Sequence, residues 1–129
     1  MTKKQNIKPT DSELEILQIL WQKGPATVKS VNEILSEKKD VGYTTTLKLM
    51  QIMYEKGLVH RNEKDRSHIY TAVIEENKIQ KALVEKLLET AFSGSAAKLV
   101  MQALGNSKPT KEELDKIREL LNNIERGDQ

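Results

Sequence analysis

Residues 44–46 are three consecutive threonines, and they stand where a helix should begin. Gly42 and Tyr43 precede them, and LKLMQIMYEK follows and ends at Gly57. β-Branched residues lose side-chain freedom in a helix and are weak choices for its first turn. Short hydroxyl side chains at a helix N-terminus nevertheless have a chemical use. They let the backbone come close to a nucleic acid, their oxygens bond phosphates or base edges, and their methyls meet the thymine methyl. The unpaired N–H groups of the first turn attract phosphate as well. A helical projection turns Thr46, Leu49, Met50 and Met53 inward and leaves Thr44, Thr45, Leu47, Lys48 and Gln51 on the remaining arc. Those five are the candidate DNA contacts on this helix. The plain alternative is that the threonines only cap it.

Two further cations stand at the tip of an expected hairpin, Lys64 and Arg66, where an arginine can reach a phosphate or lie in the minor groove. Arg61, on the strand before them, suits a surface ion pair equally well. The two histidines, His60 and His68, flank the same hairpin, but zinc needs a third or fourth close ligand and Glu63 has the wrong strand parity. No metal or other cofactor is expected. An enzyme is not expected either: there is no phosphate-binding glycine loop, no HExxH and no Gly-x-Ser-x-Gly. With no cysteine, disulfides, thiolate metal sites and cysteine nucleophiles are excluded.

The elements that must position these residues follow from periodicity. Thr10 and Glu13 have capping-box spacing, and Leu14, Ile16, Leu17, Leu20 and Trp21 give the first helix an apolar face. Lys23-Gly24-Pro25 stops it. Thr27 can cap a short second helix with Val31, Ile34 and Leu35 inward. The third helix spans about Tyr43 to Lys56, with Gly57 placed to end it. Period-two patterns at 58–63 and 68–73, around a polar turn at 64–67, predict a hairpin. A helix-turn-helix closed by a hairpin is the winged form of that motif, whose second helix enters the major groove.

The chain then returns to helix. Ile79, Leu83, Leu87, Leu88 and Phe92 form a stripe, Ser93-Gly94-Ser95 breaks it, and a helix from Ala96 to Leu104 carries Leu99. Thr110 and Glu113 repeat the capping-box spacing. Beyond them Leu114, Ile117, Leu121 and Ile124 follow a 3-4-3 pattern, the seam of a helix that packs on a partner helix. The fold class expected is mainly α with a small β-wing: a winged helix-turn-helix over residues 1–74, then a three-helix dimerisation domain over 75–129. Three such short helices can scarcely bury their apolar faces among themselves, and a second copy is the commonest remedy.

Composition sets the outer bounds. Of 129 residues 31% are charged and net charge is +2; residues 1–73 hold 12 basic against 9 acidic side chains, so the small basic excess lies in the first half. No apolar run approaches the ~20 residues that span a membrane. MTKKQNIKPT has lysines without an apolar stretch behind them, so no secretory signal is expected and the cytoplasm is the expected location.

The run YTTTLKLMQIMYEKGLVHRNEKDRSHIYTAV resembles the penicillinase-repressor family, the BlaI/MecI/CopY type of bacterial regulator. The shared marks are Tyr43-Thr44-Thr45, then Lys56-Gly57-Leu58-Val59, the wing arginines Arg61 and Arg66, and Tyr70. The opening helix, with Glu13, Leu20, Trp21 and Val31, resembles the family's start. SGSAAKLVMQAL resembles the segment before its last helix, so the resemblance covers nearly the whole chain. It implies a dimeric repressor whose winged helices each read half of an inverted repeat, often of TACA/TGTA type, controlling antibiotic-resistance or transport genes. It also implies a membrane-bound sensor-protease that cleaves the repressor at an Asn-Phe bond, which aligns here with Gln102-Ala103. The copper-responsive branch ends in clustered cysteines, which this chain lacks. The competing expectation is a winged helix, or a small helical adaptor, that binds protein rather than DNA.

Overall fold

The computed structural model describes residues 8–64 and 66–127. The lysine-bearing start, residues 1–7, and Asp65 of the expected turn lie outside them. Six helices and one hairpin follow in order: α1 (Asp11–Lys23), α2 (Val28–Leu35), α3 (Tyr43–Glu55), β1 (Val59–Asn62), β2 (Ile69–Ala72), α4 (Glu76–Ala91), α5 (Ala96–Gly105) and α6 (Lys111–Arg126).

The boundaries have local causes. Thr10 and Thr110 each accept from the amide three residues on, and Glu13 and Glu113 answer to their backbone N–H groups, so both capping boxes form. Thr27 and Ser95 cap α2 and α5. Gly57, at φ 83°, ends α3: its N–H bonds the Tyr54 carbonyl and the Leu58 N–H reaches back to Met53. That is a Schellman stop, and a side chain at this φ would be strained.

Residues up to Lys81 form one compact unit and those from Ala82 onward another, so the division falls inside α4. The first unit has a true core. Ile16, Leu17 and Leu20 of α1, Val31 and Leu35 of α2, Met50 and Met53 of α3, and Leu58, Val59 and Tyr70 of the hairpin are all buried. The strands pair antiparallel, Val59 with Ala72 and Asn62 with Ile69, without a bulge. They are shorter than the period-two runs suggest. The sheet gains an edge that the pattern does not reveal: Ala26, between α1 and α2, exchanges both backbone hydrogen bonds with Tyr70, at 3.0 and 2.8 Å. This bridge ties the helical layer to the wing.

The second unit is different. α5 and α6 have no buried residue. Leu83 and Leu87 of α4 and Leu121 and Ile124 of α6 are exposed, while Leu88, Phe92, Leu99, Leu114 and Ile117 are half-buried. Among the described residues, no helix is long and apolar enough to cross a membrane.

Candidate nucleic-acid interface

The α2–α3 pair is held by polar bonds at its turn. Asn32 of α2 sends one amide nitrogen to the Val41 carbonyl, 3.0 Å, and to the Thr46 hydroxyl, 2.8 Å. Thr46 in turn donates to the Gly42 carbonyl at 3.3 Å. Thr46 is fully buried, so the third threonine belongs to the frame, as its helical phase indicates. Its hydroxyl is satisfied inside the turn, which offsets the cost of burying it. The result fixes α3 against α2 from the helix's first turn.

Thr44, Thr45, Lys48 and Gln51 face solvent on α3. Leu47, expected on the same arc, is instead half-buried and packed against the core. Its position on the rim of the inward face explains this: the buried stripe of α3 is broader than the projection allows. A cleft of about 220 Å³ lies between α3 and the wing, lined by Tyr43, Leu47 and Gln51, by Arg66 and His68, and by Lys29 of α2. Thr44 and Lys48 lie with Leu47 and Gln51 along the other side of α3. Folding therefore brings Arg66 beside Gln51, some fifteen residues apart in sequence. Thr45 and Lys64 are exposed but line neither depression.

Lys29, Tyr43 and His68 line the cleft although the sequence did not single them out as DNA contacts. α2 reads as a supporting helix, and only the hairpin's return to it makes Lys29 relevant. Tyr43 is half exposed at the start of α3, and the motif Tyr43-Thr44-Thr45 is the signal that marks it.

The cations of the first unit divide by partner. Lys39 pairs with Glu15 at 3.0 Å and Lys56 with Glu13 at 2.7 Å. Arg61 bonds Glu63 through Nε at 2.8 Å and lies over the Tyr54 ring, 4.0 Å from its centroid. The Tyr70 hydroxyl first, and Glu63 next, hold its guanidinium above its ordinary range. Arg61 is thus the ion-pair former of the two roles its position allows. Lys29, Lys48, Lys64 and Arg66 enter no ion pair among the described residues. These four stand on α2, α3 or the wing, while Lys23, Lys38, Lys78 and Lys81, which also enter no ion pair among the described residues, lie elsewhere in the first unit. Among those same residues no group of three or more His, Cys, Asp or Glu could hold a metal ion.

Residues 9–123 match the family described as Penicillinase repressor. The chain belongs to the penicillinase repressor family. The "Transcriptional regulator BlaI" of Mycobacterium tuberculosis is 30% identical over 119 residues, 91% of this chain and 85% of that protein. The "Methicillin resistance regulatory protein MecI" of Staphylococcus aureus is 23% identical over 113 residues, covering 88% and 92%. The "Penicillinase repressor" of Staphylococcus aureus is 22% identical over 113 residues, covering 88% and 90%. The solution structure of the DNA binding domain of the repressor BlaI is 25% identical, with a TM-score of 0.49 over 59% of this chain and 90% of that one. A penicillinase repressor is a transcriptional regulator rather than an enzyme, and a winged helix used only to bind protein is not the favoured reading.

Proposed function

We propose that this penicillinase repressor represses transcription in the cytoplasm by binding, as a homodimer, an inverted-repeat DNA operator. One observation carries the reading: Lys48 on the exposed arc of α3, and Arg66 and Lys29 at the adjoining cleft, enter no ion pair among the described residues. In this reading Thr44, Thr45 and Gln51 approach base edges, with the rim of Leu47 against thymine methyls. Lys48, Lys64 and Arg66 hold phosphates, and Lys29 joins them.

Homodimerisation would use the second unit. Leu83, Leu87, Leu121 and Ile124 are 40–55% exposed in the single chain, an arrangement that supports burial against a second copy. Leu88, Phe92, Leu99, Leu114 and Ile117 would complete the same apolar surface. A membrane sensor-protease acting by the family's route would cut between Gln102 and Ala103. Both are exposed, but their bond lies within α5, and a helical bond must unwind before a protease can hold it extended.

Titration of the chain against its own upstream DNA at several salt concentrations tests the core of this. Each phosphate neutralised adds about −0.9 to the slope of log affinity against log salt. Arg66→Ala should weaken binding to all sequences and lower the slope by about 1, whereas Thr45→Ala should relax base preference with the slope kept. Absence of any salt-sensitive, sequence-preferring complex would overturn the reading.

A further inference from the structure

His68 stands just before β2, half-buried, and lines the α3–wing cleft. Lys29 of α2, Tyr43 of α3, Arg66 of the wing tip and Tyr70 of β2 line the same depression. No carboxylate among the described residues does so. Lys29 and Arg66 enter no ion pair among those residues, and the His68 ring makes neither a hydrogen bond nor an ion pair there. The acid whose charge His68 touches is Glu63, just past β1. That carboxylate is already occupied: Arg61 bonds it through Nε at 2.8 Å and holds it below its ordinary range, while the charge of His68 adds the smallest effect. A polar ring left without a partner, in a cleft that holds two unpaired cations, suits an anion.

We propose that His68 is a further DNA-binding residue, which holds a backbone phosphate at the α3–wing cleft through its imidazolium form and makes DNA affinity rise as pH falls through neutrality. The inference rests on the DNA-binding reading above and needs no second copy of the chain. Histidine is the side chain that ordinarily gains its charge between about pH 5 and 8, and duplex phosphates stay charged throughout. A phosphate seated with Lys29 and Arg66 favours a third cation beside it, so binding takes up a proton at His68. Above that range the neutral ring can still donate one hydrogen bond but supplies no charge. The chain has two histidines, and the other provides a control. His60 lies exposed on β1, paired with Thr71, and does not line the cleft.

The test titrates the full chain against a duplex selected by the unaltered protein, at about pH 8 and about pH 6 and at several salt concentrations. Unaltered protein should bind about three- to tenfold more tightly at the lower pH, within the ceiling of about tenfold per pH unit that one linked proton allows. The slope of log affinity against log salt should steepen by about 0.9, the effect of one more neutralised phosphate. His68→Gln should remove both changes and keep the affinity at the higher pH within about twofold. His60→Gln should keep both. The α-amino group also titrates near this range, but it is the same in both variants and cannot separate them. His68→Lys, a permanent cation, should bind at the higher pH as the unaltered protein does at the lower, which keeps the proposal testable should His68→Gln fold poorly. Equal affinity at the two pH values, or a pH effect that persists in His68→Gln, overturns the role of His68 while leaving the DNA-binding reading intact. Unaltered protein that binds no duplex at either pH overturns that reading itself.

Discussion

Glu13 shows how much one side chain can carry. It closes the capping box of α1 through Thr10 and also meets Lys56 at the far end of α3, at 2.7 Å, while 2% exposed. Burial alone would raise its pKa, but the hydrogen bond from Lys56, the Thr10 backbone bond and the Lys56 charge together lower it. A lowered folded pKa means that the ion pair's contribution is complete above the ordinary glutamate range, near ~4.3, and is lost as pH falls through the lower folded value. Thermal melts should therefore lose stability progressively in the acid range below about pH 4, a loss that should be smaller in Glu13→Gln. Lys56→Met leaves the buried carboxylate without its partner; about 3 kcal/mol is expected, the low end for such pairs because Lys56 stays a third exposed. Denaturant midpoints would measure it, and an unchanged midpoint would place the pair among those that contribute nothing.

At the scale of the element, polar bonds at the α2–α3 turn add to the apolar packing of the helix-turn-helix. Asn32 bonds Val41 and Thr46 at once, so the α2–α3 turn and the first turn of α3 share one amide. Asn32→Ala should cost about 1–3 kcal/mol, because two acceptors in a part-buried turn lose their donor together. It should also weaken DNA binding more than its loss of stability explains, since α3 would no longer be held from its N-terminus. Comparing anisotropy titrations of Asn32→Ala and of a core variant of equal stability separates the two effects; equal affinities would deny Asn32 any role in aiming α3.

For the whole molecule, the two units differ in how complete they are. The first buries its apolar residues from three helices and the hairpin, while α5 and α6 bury none. A charge in the middle of the exposed α6 face should act on assembly alone. On the homodimer proposed above, Leu121→Glu is expected to give a monomer in sedimentation at micromolar concentration, with the helical content of the first unit kept, because Leu121 is 55% exposed in the single chain. A dimer that survives this change would assemble through another face.

Much of this was legible in the chain itself, for physical reasons. Capping boxes, the Gly57 stop, the period-two wing and the helical phase of Thr44–Thr46 depend on local sterics and backbone hydrogen bonds, which act between residues a turn apart. The sequence by itself therefore determined the order of elements and which threonine is inward. Tertiary structure decided the rest: that Leu47 packs as well as faces outward, that Ala26 joins the wing, that Arg66 and Lys29 line one cleft, and that Trp21 reaches Ile74. Such pairings join residues tens of positions apart. Nothing in their local pattern marks them, because they depend on where the chain returns and not on what each segment prefers.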